Sequence, residues 1–157
     1  MRIKMLSAAA LVASLAAPAA WADAPAKTDA WSLSAILHDR AAKSAFDAMK
    51  KGQRLPAWVT KGATETPAHA VSFDGHDVYV MSGCKPHDCG SERIAILYDP
   101  QKKAMYGVLS VVAPKNDTEH LTWLNIGGGS ESIDGKTILY AQLTGSVENH
   151  PGAFNYK

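Results

Sequence analysis

Residues 70–112 read AVSFDGHDVYVMSGCKPHDCGSERIAILYDPQKKAMYGVLSVV. Four runs rich in β-branched and aromatic residues stand out: 70–73, 78–81, 93–98 and 105–112. Runs of this composition and length favour strands. The first two flank Asp74-Gly75-His76-Asp77, whose Asp-Gly favours a tight reversal. The last two flank Asp99-Pro100-Gln101-Lys102-Lys103, a proline-containing turn. Two consecutive hairpins predict an antiparallel sheet. Leu121-Thr122-Trp123-Leu124 either adds a strand or packs beneath the sheet, so about five strands are expected.

Upstream of the sheet the pattern turns helical over residues 29–51. Trp31, Ile36, Leu37, Phe46 and Met49 fall mostly at helical spacings, and Asp39, Arg40, Lys43, Asp47 and Lys50 take the opposite face. Asp29 or Ser32 can cap its start, and Gly52 with Pro56 soon after marks its stop. One amphipathic helix on a core is therefore predicted. Downstream, Gly127-Gly128-Gly129 reads as a flexible loop; it lacks the Lys-Ser/Thr and the strand–helix setting of a phosphate loop. Residues 135–144 read equally as a short helix or a last strand, because periodicity over so few positions cannot choose. There is no repeat and no second composition regime. The expected architecture is one α+β domain, its antiparallel sheet flanked by the N-terminal helix and shorter helices.

The first 22 residues read as an export signal. Arg2 and Lys4 form a positive start, an uncharged run over 5–18 follows, and Ala20-Trp21-Ala22 offers small residues for cleavage after Ala22. The run is shorter than the roughly 20 apolar residues needed to span a bilayer, so a membrane anchor is not expected. With residues 1–22 gone from the 157, a single domain over 23–157 is left, large enough for its own core. Losing Arg2 and Lys4 takes the 16 basic residues to 14 against 15 acidic ones. A balance near neutrality argues against a nucleic-acid footprint, so any electrostatic recognition must be local.

The chain's two cysteines, Cys84 and Cys89, fall in Gly83-Cys84-Lys85-Pro86-His87-Asp88-Cys89-Gly90, where one predicted strand gives way to the next. After export such a pair normally ends as a disulfide. Closing this short ring restricts the unfolded chain by about 2 kcal/mol on a chain-entropy model. Pro86 fixes its own φ and biases Lys85 towards extended geometry, while the flanking glycines allow unusual dihedrals at the base. Lys85, His87 and Asp88 at the tip are polar and cannot build a core. A rigid, polar, protruding loop is a recognition device, because its ordering entropy is removed before a partner arrives.

Other readings of the segment stand beside that one. A thioredoxin-like centre wants two residues between its cysteines, not four. A nucleophilic triad brings its members together from distant positions, not from within one short segment. A small periplasmic binding or metal-handling module could use Cys84, His87 and Cys89, with His69, His76 or Asp88 as a fourth ligand. The plainest reading is a disulfide that only staples a surface loop, with His87 an ordinary solvated side chain. Elsewhere, Trp31, Trp58 and Trp123 at helix and strand positions read as core, and His69, His76, His120 and His150 share no spacing that marks a site.

The string CKPHDC, Cys84 to Cys89, closely resembles the signature loop of the Ivy family, inhibitors of vertebrate-type (C-type) lysozyme exported by Gram-negative bacteria. Residues 95–98 with 103–108 look like that family's following hairpin, and 132–137 and 143–151 look like its C-terminal stretch. The similarity covers much of the chain from Val78 onward. The resemblance implies a non-enzymatic, cofactor-free, metal-free periplasmic protein that is monomeric or homodimeric and whose partner is C-type lysozyme. In that family the disulfide-closed loop enters the enzyme's active-site cleft. The motif's histidine, here His87, then bonds the catalytic carboxylates. Asp88 is expected to orient His87 or the loop backbone. Lys85 is either a contact or a solvent-facing residue. Asp88 and Glu92 are candidates for steering a basic partner, although Glu92 also reads as a plain solvated strand end.

Overall fold

The computed structural model describes residues 30–156. The expected signal segment and Asp29 lie outside them. Two short helices come first, α1 (Leu33–His38) and α2 (Arg40–Met49). Six strands follow: β1 (Thr64–Glu65), β2 (His69–Phe73), β3 (His76–Cys84), β4 (Glu92–Asp99), β5 (Ala104–Ala113) and β6 (Thr118–Leu124). Helices α3 (Asp134–Leu143) and α4 (Ser146–Asn149) close the order, with 3-10 turns at Ala57–Val59, Ser130–Ser132 and Pro151–Phe154.

The strands form one antiparallel sheet in the order β1-β3-β4-β5-β6, with β2 paired to β3 beyond β1 along the same chain edge. Strand β4 lies at its centre and is buried from Ile94 to Asp99. Strand side chains alternate between faces, so β4 feeds both. Ile94, Ile96 and Tyr98 pack with Ile36, Phe46 and Met49 of α1 and α2. Ala95 and Leu97 pack with Ile138, Leu139 and Val147 of α3 and α4. The domain is thus a sheet with helices on both faces, a single α+β unit as expected. Leu121–Leu124 does add a strand, lying in β6 paired along β5, and Thr64–Glu65 adds a short edge piece that brings the count to six.

The single helix predicted over 29–51 is two helices. Asp39 breaks it, with extended backbone at φ −86° and ψ 130°. Its backbone N–H donates to Ala35 O and ends α1, while its carboxylate accepts from Ala42 N at 2.8 Å and starts α2. A short acceptor side chain offers the backbone an alternative to continuing the helix, and helical periodicity does not register it. Of the two cap candidates for the first helix, Ser32 serves α1, accepting from Ala35 N at 3.1 Å. The stretch over 135–144, undecided from sequence, falls in α3, which buries Ile138, Leu139 and Gln142. The glycine run over 127–129 is folded over Glu131, whose carboxylate accepts from Gly127 N and Gly129 N at 3.0 and 3.2 Å.

Asp74 and Gly75 both have positive φ, 53° and 80°, between the paired Phe73 and His76. That is the two-residue primed turn that suits the twist of a hairpin. Next to it the Asp99 side chain, fully buried, accepts from His76 Nε2 at 2.8 Å and from Lys102 N at 2.9 Å. His76 Nδ1 faces Asp74 O at 3.0 Å. With acceptors at both ring nitrogens, the doubly protonated imidazolium is favoured, and the Asp99 carboxylate raises the His76 pKa above its ordinary value.

At Gly107 an added Cβ would meet Met49 Sδ of α2 at 2.9 Å, Leu124 Cδ1 of β6 at 3.2 Å and Ala95 O of β4 at 3.3 Å. Gly107→Ala is expected to lower stability by about 1–3 kcal/mol, measured as a shift in urea midpoint, through overpacking. The His76–Asp99 pair gives a pH test. A raised folded pKa means full stabilisation below the ordinary histidine value of 6.5, lost as pH rises through the folded value. The urea midpoint should fall between pH 6 and pH 9, and His76→Ala should flatten that fall while costing about 1–3 kcal/mol at pH 6.

Candidate functional site

The β3–β4 hairpin runs closer to its loop than sequence predicts. Gly83 and Cys84 are strand residues, Cys84 being paired with Thr64 on one side and Arg93 on the other. The base of the loop is therefore sheet. Cys84 and Cys89 form a disulfide with Cα atoms 4.8 Å apart. Lys85 N donates to Glu92 O at 3.0 Å and carries the ladder one step further. Asp88 N then donates to Lys85 O at 3.0 Å and closes a four-residue reverse turn with Pro86 and His87 at its centre. Ser91 O accepts from Val112 N at 2.8 Å and ties the return limb to β5.

The flanking glycines were expected to carry the unusual dihedrals. The positive φ, 63°, instead falls on His87. Proline at the second position and positive φ at the third are the marks of a type II turn, whose third residue is usually glycine. Histidine is one of the few other residues that enters this region with any frequency, at a cost on the order of 1 kcal/mol. Gly83 meets a different demand: an added Cβ would run into Leu33 and the Thr64 carbonyl, so its bareness serves packing.

His87 is exposed, as is Cys89, while Lys85, Pro86, Asp88 and Cys84 are half-buried. The imidazole thus stands at the apex, and its neighbours are drawn into the base. Lys85 Nζ sits 3.1 Å from Asp88 Oδ2 and 2.7 Å from Glu92 Oε1. The other Glu92 oxygen accepts from Trp58 Nε1 at 2.7 Å. Lys85 and the Trp58 indole hold the Glu92 carboxyl below its ordinary pKa. Ser91 and Lys85 do the same for Asp88, and the two carboxylates raise Lys85.

Several expectations change accordingly. Asp88 grips Lys85 rather than the His87 ring, so its orienting part falls on the loop itself. Lys85 is not merely solvent-facing, and Glu92 is not a plain strand end, since its side chain is only 21% exposed. Trp58, expected in the core, packs against it on one side and donates its N–H to the loop's base. Of the proposed fourth metal ligands, Asp88 lies in the loop but is paired to Lys85, and His69 and His76 lie back along the β2–β3 hairpin. His76 starts β3 and Cys84 ends it, about 26 Å of strand apart at ordinary rise. With both sulfurs in the disulfide, the Cys84–His87–Cys89 metal reading lacks its thiolates.

The family model described as inhibitor of vertebrate lysozyme (Ivy) matches residues 41–137, from the start of α2 to the first turn of α3. The chain belongs to the Ivy family. It is 48% identical over 129 residues to the inhibitor of vertebrate lysozyme of Escherichia coli K12, an alignment covering 82% of each chain. It is 33% identical over 118 residues to the inhibitor of vertebrate lysozyme of Pseudomonas aeruginosa, covering 74% of this chain and 73% of that one. An uncharacterized protein of Yersinia pestis is 32% identical over 123 residues, covering 74% and 76%. The Ivy match includes the whole β3–β4 hairpin with its disulfide-closed tip. Both the Escherichia coli and the Pseudomonas aeruginosa relatives are inhibitors of vertebrate lysozyme. Among the described residues no helix is long and apolar enough to cross a membrane.

Strain at the apex can be read from stability alone. His87→Gly should leave the melting temperature nearly unchanged, because relief of the positive φ offsets glycine's larger unfolded-state entropy. His87→Val, β-branched in the same conformation, should cost about 1–2 kcal/mol in thermal unfolding. Equal effects of the two substitutions would mean that the turn does not hold the left-handed geometry in solution.

Proposed function

We propose that this chain is an exported inhibitor of C-type lysozyme that places its Cys84–Cys89 loop in the enzyme's active-site cleft, with His87 bonding the catalytic carboxylates. The observation that carries the reading is the exposed imidazole at the strained apex of a disulfide-closed turn. It stands on a chain 48% identical to the Escherichia coli inhibitor of vertebrate lysozyme. Residues 1–22 act as the signal, the inhibitor is the domain 23–157, and the periplasm is its compartment.

The chemistry of the plug follows from the target. Retaining glycosidases, lysozyme among them, carry two carboxyl groups roughly 5–5.5 Å apart. A protonated imidazole presents a donor at each end of a flat ring and can bridge two acceptors of that kind. Such charge-assisted bonds contribute on the order of 1.5–3 kcal/mol each. Lysine would bring charge without the planar, two-ended shape. His87 carries nothing to cleave, so occupation of the cleft is the whole mechanism. The ladder, disulfide and reverse turn order the loop before the partner arrives, which lowers the entropic cost of association.

Lysis of a Gram-positive cell-wall suspension by C-type lysozyme, followed as turbidity, is expected to stop at equimolar purified protein. His87→Ala should weaken inhibition on the order of 100-fold or more, two charged hydrogen bonds being lost, while leaving the circular dichroism spectrum unchanged. Unimpeded lysis at several-fold molar excess of the unaltered protein would end the proposal. Reduction of the disulfide should lower affinity more than it lowers the melting temperature, since the loop is the part released.

A further inference from the structure

Trp58 sits far from the loop in sequence, in the 3-10 turn Ala57–Val59 that precedes β1. Its ring packs against the α1/α2 side of the core, and the same ring points one N–H at Glu92. Glu92 opens β4 opposite Val111 of β5. Its two oxygens are divided: Oε2 takes the indole N–H at 2.7 Å and Oε1 takes Lys85 Nζ at 2.7 Å. Lys85 in turn reaches Asp88 at 3.1 Å, across the turn whose apex is His87. A half-buried aromatic packed on the core is thereby connected to the loop through one carboxylate and one ammonium.

We propose that Trp58 is a positioning residue for the inhibitory loop, acting through Glu92 and Lys85 to fix the direction in which His87 projects. The inference rests on the reading that this loop enters a lysozyme cleft. Without the indole N–H, Glu92 keeps only Lys85, and two flexible side chains have no fixed anchor. The backbone turn and disulfide still close the ring, so the loop survives, but its tilt on the sheet is less restricted. Loss of orientation at a plug is paid at binding, when the loop must be ordered again.

The groups facing Glu92 are Trp58 from the 3-10 turn and Lys85 and Asp88 from the loop; across the ladder Val111 brings no charge. Protonation of Glu92 breaks the connection to Lys85. Its carboxyl is held below the ordinary value of 4.5, first by Lys85 and then by Trp58. The contribution of the connection is therefore present above that ordinary value and is lost as pH falls through the lowered one. Removing the indole donor should move that loss to higher pH.

The test uses Trp58→Phe, which keeps an aromatic ring against the core but removes the N–H and part of the indole's bulk, together with Glu92→Ala and the double variant, whose cycle separates lost packing from the lost donor. Binding to C-type lysozyme is measured directly from pH 3 to pH 7, and each variant is compared with the unaltered protein at the same pH so that the enzyme's own titration cancels. Trp58→Phe is expected to bind about five- to tenfold more weakly at pH 7, chiefly through faster dissociation, and to begin its acid loss at higher pH. In the Glu92→Ala background the same substitution should cost nothing more, because its intermediary is gone. A partner-free arm follows the Trp58 indole 15N–1H signal, assigned by its absence from Trp58→Phe; it should move with a carboxylate titration below the ordinary range. Additive effects of the two substitutions, or an indole signal unmoved down to pH 3, would overturn the inference. An unaltered protein that fails to bind lysozyme at all would instead remove the functional reading, and the indole titration would still report on the connection.

Discussion

Everything at the loop depends on the β3–β4 ladder beneath it. Six residue pairs, from Tyr79 opposite Tyr98 to Cys84 opposite Arg93, lock the two strands in register. Helices cover both faces of β4, so a slip by one residue would exchange its two buried faces and put Ala95 and Leu97 where Ile94 and Ile96 belong. The register therefore cannot drift, and Cys84 always ends its strand in the same place. The disulfide is laid on the last rung of a rigid ladder, and the sheet's order extends to within a few residues of His87.

Above that rung the stabilising contributions differ in kind. The disulfide and Pro86 act mainly by narrowing the unfolded ensemble. The backbone bonds from Lys85 to Glu92 and from Asp88 to Lys85 set the path of the chain. The side-chain cluster is half-exposed, so solvent screens it and each ion pair adds little to global stability. Its effect is local and directional. Against these stands the left-handed backbone at His87, which costs free energy in isolation and holds the imidazole outward. A fold that tolerates such a cost at one exposed side chain, and satisfies the side chains around it, concentrates the loop's exposed chemistry in a single ring.

The parts of this structure legible from sequence are those written in short-range pattern. Strand runs, the Asp-Gly reversal and the CKPHDC string all lie within a few residues of one another, and each appears where its chemistry predicts. The parts that escaped are of two sorts. Asp39 and His87 depart from the local pattern through single-residue backbone choices: a polar side chain that ends one helix and begins the next, and a positive φ taken by histidine while two glycines stood nearby. The stretch over 135–144 reads ambiguously because helix α3 is buried on much of its surface, which erases the apolar stripe that marks an amphipathic helix. The second sort is tertiary. Trp58 and Glu92 are 34 positions apart, and nothing in either residue's neighbourhood indicates that they meet. A tryptophan with a predicted core role gives no sign of where its one polar atom will go, although a buried or half-buried indole N–H normally finds an acceptor.

The meander sorts its connections by end. The tight reversal at Asp74-Gly75 and the turn after Asp99 lie at one end of the sheet, while the β3–β4 loop and the β5–β6 turn lie at the other. Gln101, exposed in the turn after Asp99, lies outside the β4–β5 ladder and stands a full strand length from the Cys84–Cys89 loop. A fluorophore or a surface tether attached there would leave the opposite end unobstructed, so the molecule comes with its own handle for holding the Cys84–Cys89 loop out into solution.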